Sequence, residues 1–531
     1  MINPVRATRG IAVASHSMAA QSASAVLRDG GNALEAMIAA AATIAVVYPH
    51  MNGIGGDSFW LFSEPGKAPQ AIDACGAAAG GATRDWYGAQ GMTRIPMRGP
   101  LAACTVAGTI SGWDLAFEAS RAWGGRLGLP RLLADAIGYA REGIPVTRSQ
   151  HASTTAKFDE LHAQPGFSDT FLVDGAPPVE GGVFHQPRMA ATLERLAEAG
   201  LRDFYEGDLA RRIAADLETL GSPLRASDLR QHRAQLRTPV ALEHSRGKVY
   251  NMTPPTQGVI SLAILGVLDR LGVDHLDPMS TDYIHLVVEA TKQAFLVRDR
   301  HVTDPAWMKV DAQSLLEPSA LDAMAAEVDR AKALSWGGAT DPGDTIWMGV
   351  IDGEGRAVSF IQSIYHEFGS GIVLPDTGIN WQNRGCSFSL EDDALNALEP
   401  GRKPFHTLNP ALAVLDDGRT MVYGTMGGDG QPQTQAAVFT RYVQMGMGLQ
   451  ESVTAPRWLL GRTWGSMSES LKIESRFPLP VADELRHRGH VVDVIGAFDE
   501  TVGHAGALVR HSSGMMEGGF DPRSDGAVAG Y

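Results

Sequence analysis

The sequence predicts an α/β protein, mostly helical over its first two thirds and strand-rich over its last third. Three observations carry that reading. Apolar spacing from Leu129 to about Arg230 is mainly helical, clearest in Pro187 to Gly200 and Asp208 to Leu220. Ile346 to Ile351 and Ala357 to Ser363 read instead as strands, joined by a hairpin-type turn at Asp352-Gly-Glu-Gly355. The change of character falls at Gly337-Gly-Ala-Thr-Asp-Pro-Gly-Asp344, a run of breakers that suits neither a helix nor a sheet interior. A boundary is placed there, dividing a helix-rich part, 1–344, from a strand-rich part, 345–531.

In chain order, Ile11 to Ser15 is a short strand, followed by a helix from about Met18 to Arg28 that Gly30-Gly31 stops. Asn32 can cap a second helix, apolar all round and therefore a core element, running to about Val47. The glycine-rich loop Pro49 to Asp57 enters a strand, Ser58 to Phe62. It lacks the Gly-Lys-Ser/Thr ending of a phosphate loop, so tight backbone packing is the better reading. Ala71 to Asp73 is a strand, and Trp113 to Trp123 a helix. Val240 to Met252 forms strands around a turn at Gly247. Helices follow at Val259 to Leu271, Tyr283 to Arg300 and Ser314 to Lys332. Beyond Thr345 there is a strand at Ala411 to Leu415, with helices at about Gln433 to Met447, Glu451 to Ala455 and Val481 to Arg488.

The net charge of −15 argues against nucleic acid or an anionic membrane as partner, but it says nothing of the substrate. Cys75, Cys104 and Cys386 are too few and too scattered for a disulfide framework or a zinc site. No metal constellation or cofactor motif is expected. The longest apolar run, Ala36 to Tyr48, is too short to span a bilayer, and the N-terminus lacks a signal peptide's apolar core; a cytoplasmic protein is expected.

Thr345 stands where the breaker loop meets a strand. A threonine hydroxyl becomes a useful nucleophile when a base lies beside it, and cutting the chain before Thr345 would make its own α-amino group that base. Taken alone, a threonine starting a strand is usually only that. Gly427-Gly428 follows a strand and opens a helix, where backbone N–H groups can receive an oxyanion, although such pairs are common punctuation. Arg84, judged by pattern, is a surface arginine.

In order, Asp29-Gly-Gly-Asn-Ala33, Gly53-Ile-Gly-Gly56, Ala82-Thr-Arg-Asp85, Val106-Ala-Gly-Thr109, Pro254-Pro-Thr-Gln-Gly258, Glu289-Ala-Thr-Lys-Gln-Ala-Phe295, Gly427-Gly428 and Asp521-Pro-Arg-Ser524 resemble the γ-glutamyltranspeptidase family of N-terminal nucleophile hydrolases. The resemblance implies a four-layer αββα fold and self-cleavage between Asp344 and Thr345. It further implies a heterodimer of the two resulting chains, with further dimerisation left open. It assigns Thr345 as nucleophile, Ser363 as its hydroxyl partner, Gly427 and Gly428 as oxyanion donors, and Arg84 as the arginine for the substrate carboxylate.

The departures bear on the substrate. Where the family holds a glutamyl α-amino group, this chain has Tyr365, Arg384 and Ser387; where it has tandem serines, this chain has His406 and Thr407. A guanidinium repels an ammonium and favours a carboxylate. The expected substrate is therefore a small amide bearing a carboxylate, with oxamate the leading choice, bound by Arg84, Tyr365, Arg384, His406 and Thr407. The alternatives are a γ-glutamyl hydrolase or transpeptidase acting on glutathione-like donors, a glutaryl-amide acylase of the cephalosporin kind, and a non-processing relative that only binds a ligand.

Overall fold

Two seven-stranded antiparallel sheets stack face to face, each covered on its outer side by helices, in a four-layer αββα sandwich. The computed structural model describes residues 2–337, 344–461 and 468–531. The first sheet runs, in spatial order, Ala527–Gly530, Gly10–Ala14, Asp344–Asp352, Ala357–Tyr365, Asp57–Ser63, Gln70–Ala74 and Gln235–Arg237. The second runs Val5–Ala7, Met516–Phe520, Ala505–Arg510, Thr420–Thr425, Ala411–Leu415, Gly247–Asn251 and Val240–His244. Both sheets draw strands from either side of residue 344.

Strand periodicity sorts the side chains between layers. Along Asp344–Asp352, Ile346, Met348 and Val350 join the helical core on the outer face, whereas Trp347 and Ile351 join the core between the sheets. The Trp347 indole fills the inter-sheet space and donates Nε1–H to Ser359 Oγ at 3.0 Å. A Cβ on Gly424 would lie 2.2 Å from this ring, and one on Gly506 2.7 Å, so the facing sheet has to present bare backbone there.

The outer helix expected after Asn32 forms over Ala33–Val47 with every residue buried. Asn32 Oδ1 accepts from the N–H of Leu34 and Glu35, and Glu35 returns a bond to Asn32 N–H at 3.0 Å, closing a capping box. The helix packs between Ser17–Arg28, Leu129–Glu142 and the Asp344 strand, which is why no polar stripe survives on it. The glycine-rich loop before Asp57 is close packing, as expected: a Cβ on Gly56 would lie 2.0 Å from the Ser363 carbonyl oxygen.

Three expected helices differ in extent. Ser314 to Lys332 is a 3-10 turn, Gln313–Leu316, and a separate helix, Pro318–Ala326. Pro318 has no N–H and can only begin a helix. Trp113 to Trp123 becomes Thr109–Ser120 with a 3-10 turn, Arg121–Trp123. The helix after Gly427-Gly428 starts at once, as Gly430–Phe439, and widens into a π turn over Thr440–Gln444. Of the breaker loop before Thr345, residues 338–343 lie outside the described residues. Among the described residues no helix is long and apolar enough to cross a membrane.

Gly424→Ala forces a methyl group into the Trp347 ring and should cost about 1–3 kcal/mol, the usual range for overpacking. A denaturant midpoint unchanged from the parent would show that the sheets separate more readily than this packing implies.

Candidate active site

Thr345 sits at an irregularity in its strand. Asp344 pairs with Tyr365 and Ile346 with Gln362, so the register shifts across Thr345. Bulges of this kind re-aim side chains beside functional sites. Thr345 is 1 % exposed, and its Oγ1 donates to Ser363 Oγ at 3.3 Å. Ser363 Oγ also accepts the Tyr365 N–H at 2.8 Å, so one hydroxyl ties the Thr345 side chain to the end of the neighbouring strand.

Tyr365 has φ +83°, in the left-handed region that a side chain disfavours. Its ring lies under the Arg384 guanidinium, with Cζ 3.8 Å from the ring centroid. Arg384 is 1 % exposed; its Nε donates to the Phe405 carbonyl at 2.8 Å, and Nη2 donates to the same oxygen. Nη1 is buried without a hydrogen-bond partner. Ser387 Oγ donates to the carbonyls of Arg384 and Phe405, closing that turn.

Phe405 leads into His406 and Thr407. His406 Nε2 lies 3.1 Å from Cys75 Sγ and 3.3 Å from Asp57 Oδ2. Asp57 pairs with Ser363 across the sheet, which brings this cluster to the Thr345 end of the strands. Asp57 Oδ1 accepts the N–H groups of Gly76 and Gly108, at 2.9 and 3.0 Å. Burial nevertheless raises Asp57 to about 7, opposed by those bonds, by Gln382 and by the Arg384 charge. Burial holds His406 well below its usual range, helped by Arg384 and Lys403, and pushes the Cys75 thiol well up. Thr407 Oγ1 is buried and makes no hydrogen bond.

Gly427 and Gly428 both have positive φ, +114° and +53°, so the turn before Gly430–Phe439 demands glycine. Gln257 fastens it: its Nε2 donates to Thr407 O at 2.9 Å and to Gly428 O at 3.0 Å. Arg298 Nη1 in turn donates to Gln257 Oε1 at 3.2 Å and to Asp429 Oδ1 at 2.9 Å. The structure thus links Thr345, Ser363, Tyr365 and Arg384 on one side with Thr407 and Gly428 on the other, through His406 and Gln257.

Arg84 is placed differently. Thr83 caps its helix, Arg84–Ala89, and the guanidinium pairs with Asp392 at 2.8 Å and Glu399 at 2.7 Å. Sequence reasoning passed over Asp57, Cys75, Arg298 and Asp429, and quoted Gln257 only within a motif. The one available signal was the position of Gln257 in the Pro254-Pro-Thr-Gln-Gly258 turn after a strand; the others converge only in space.

Two groups among the described residues have donor types that could hold a metal ion: Asp57, Cys75 and His406, and His285, Glu289 and His490. The first lies in the field of Arg384 and Lys403. In the second, Lys292 Nζ already stands 2.6 Å from Glu289 Oε1. In each case a side chain supplies the positive charge.

A family model described as Gamma-glutamyltranspeptidase matches residues 19–531. Over 525 residues the chain is 59% identical to an oxamate amidohydrolase proenzyme of Klebsiella pneumoniae, covering 99% of each. It is 40% identical over 531 residues to a glutathione hydrolase-like proenzyme of Bacillus subtilis, covering 100% of both. The crystal structure of a cephalosporin acylase from Bacillus halodurans superposes with a TM-score of 0.91 at 33% identity, covering 100% of this chain and 97% of that one.

Asp57 makes a pH prediction. Its carboxyl titrates near 3.8 in the unfolded chain and at about 7 when folded. Between those values the folded protein keeps a proton that the unfolded chain has released. Its contribution to stability is therefore present below pH 3.8 and declines as pH rises through about 7. Asp57→Asn should flatten the stability–pH curve across that window, and a curve parallel to the parent's would overturn the assignment.

Proposed function

Because the chain belongs to the γ-glutamyltranspeptidase family, we propose that it is a self-processing amidohydrolase acting on oxamate, with Thr345 as nucleophile. In maturation Thr345 Oγ1 attacks the Asp344 carbonyl, and an N-to-O shift gives an ester that water opens. The products are a large chain, 1–344, and a small chain, 345–531, held together as a heterodimer. In turnover the freed α-amino group takes the Oγ1 proton while the oxygen attacks the amide carbonyl. Ammonia leaves, and water then hydrolyses the oxalyl ester to oxalate and regenerates Thr345. Ser363, by its bond to Oγ1, orients the attacking hydroxyl. The N–H groups of Gly427 and Gly428 receive the oxyanion, and one such donor is typically worth about 3–4 kcal/mol of barrier.

The observation that carries the substrate reading is Arg384. The Phe405 carbonyl anchors its guanidinium and Tyr365 supports it from below, while Nη1 remains a buried donor without a partner. A carboxylate adjoining the scissile amide satisfies that donor, with Thr407 Oγ1, two residues beyond the anchoring Phe405, as a second unpaired group. An ammonium in the same place would meet an uncompensated cation. His406 supports this wall, since its Nε2 is engaged by Cys75 and Asp57. Arg84 reaches a substrate only by exchanging Asp392, whose side chain is 87% exposed, for the substrate's carboxylate. The three free cysteines fit a reducing, cytoplasmic location.

A denaturing gel of the purified protein should show two unequal fragments, and Thr345→Ala should stay uncut. Ammonia release from oxamate should exceed turnover of γ-glutamyl-anilide and glutaryl-anilide; preference for either anilide would sink the substrate assignment. Arg384→Gln removes a charged donor worth about 1.5–3 kcal/mol, so kcat/KM for oxamate should fall about ten- to hundredfold. An unchanged value would show that the carboxylate binds elsewhere.

A further inference from the structure

The motif Asp521-Pro-Arg-Ser524 takes no part in the chemistry above, yet its first residue reaches the back of the glycine turn. Asp521 and Arg457 are each 1% exposed and pair through Oδ2 and Nη2. Between them they hold three backbone groups of one turn, at 502–505. Arg457 Nε donates to the Val502 carbonyl at 3.1 Å, and its Nη2 donates to the Gly503 carbonyl. Asp521 Oδ2 accepts the Ala505 N–H at 2.7 Å. Thr434, on the helix that follows the glycine pair, also donates its hydroxyl to the Val502 carbonyl, at 3.2 Å. Ala505 then opens a strand, paired with Thr425 at the end of the strand that leads to Gly427.

Gly503 is pressed against the peptide that precedes Gly427. It has φ +89°, and a Cβ on it would lie 2.6 Å from Thr425 Oγ1 and 2.7 Å from the Met426 carbonyl oxygen, so glycine is required. A Cβ on Gly427, conversely, would meet Gly503 Cα at 3.6 Å. Thr425 Oγ1 donates to that same Met426 carbonyl at 2.8 Å. The Met426 carbonyl and the Gly427 N–H belong to one planar peptide unit, so fixing one end sets the direction of the other. The next peptide is fixed from elsewhere: the Gly427 carbonyl accepts the Gly430 N–H at 2.7 Å, which orients the Gly428 N–H. The two donors assigned to the oxyanion are thus aimed by different means, and the first depends on Gly503.

We propose that the turn at 502–505, fixed by Arg457 and Asp521, is a brace that aims the Gly427 N–H at the oxyanion. A buried ion pair is a costly route to stability, because desolvating both charges offsets most of their attraction; here it fixes position. The proposal rests on the amidohydrolase reading above and deepens it. Gly503, Thr425 and Arg457 are positioning residues, acting through the Met426–Gly427 peptide rather than on the substrate.

A brace of this kind serves the transition state, so its loss lowers kcat and spares KM. Misplacing a catalytic group by about 1 Å costs on the order of a hundredfold, and a tilted donor should cost about tenfold or more. The experiment is oxamate kinetics per mole of cleaved enzyme, with cleavage read from a denaturing gel, for the parent, Gly503→Ala, Arg457→Lys, Thr425→Val and Thr425→Ser. Arg457→Lys keeps the charge opposite Asp521 but loses the forked grip on two carbonyls. Thr425→Val removes the bond to Met426, and Thr425→Ser restores it. These variants decide the matter if Gly503→Ala does not fold. Gly266→Ala, whose Cβ would lie 2.7 Å from Leu321 Cδ1 on the helix Gly258–Leu271, is the control for loosened packing.

The expected result is a kcat lower by about tenfold or more in Arg457→Lys and Thr425→Val, with KM within about threefold of the parent. Thr425→Ser should recover kcat, and Gly266→Ala should keep it. A kcat within about twofold of the parent in both Arg457→Lys and Thr425→Val overturns the brace while leaving the amidohydrolase reading intact. An equal loss in Gly266→Ala or Thr425→Ser also overturns it, by showing a merely structural role. Loss of cleavage in both Arg457→Lys and Thr425→Val does the same, since the brace is assigned to turnover. A parent without oxamate turnover removes the amidohydrolase reading, and the brace with it.

Discussion

The packing of the Trp347 indole between the two sheets is the constraint on which the site depends. Trp347 lies on the same strand as Thr345, two residues on, and its ring is bounded by bare glycine backbone and by the Ser359 hydroxyl. A large rigid side chain in a layer with no spare volume cannot tilt, so the strand cannot rotate about its axis. The irregularity at Thr345 is then a local departure from a fixed frame. Without that frame a 3.3 Å contact to Ser363 would carry little meaning.

Around this frame, buried polar groups are answered in short chains of named partners. Gln257 illustrates the economy: one amide bridges two carbonyls, from Thr407 and Gly428, and takes its own bond from Arg298. The Thr407 backbone and the glycine turn are thus coupled through a single residue held by a buried cation. At the C-terminal motif the same principle recurs. Asp521 lies between Arg457 and Arg523, accepts the Ala505 N–H at 2.7 Å, and is held down to about 2 by these two cations.

Much of this was legible in the sequence, for identifiable reasons. The Ala33–Val47 helix declared itself by uniform apolarity and by Asn32 before it, and the Asp344 and Ala357 strands by short, largely apolar runs on either side of a tight turn. Ser363 and the Gly427-Gly428 turn came from collinear motifs, and the structure ties Ser363 to Thr345 directly. What escaped was whatever depends on convergence. Asp57, Cys75 and His406 meet only because two sheets stack, and no spacing along the chain encodes that. The split at Pro318 was a plainer lapse, since a proline inside an apparent helix announces a boundary. The partners of Arg84, Asp392 and Glu399, lie in a loop whose course no periodicity fixes.

The interleaving of strands across residue 344 has a consequence for persistence. An uncut chain that unfolds can refold by itself, because every strand is tethered to its neighbours. A chain cut at 344 would leave two pieces, neither holding a complete sheet, and their reunion would depend on concentration. Its working life would then be governed by how slowly it opens rather than by the depth of a reversible equilibrium. Cleavage would in that sense be a one-way commitment: the fold is assembled once, as a single strand order, and afterwards only kept.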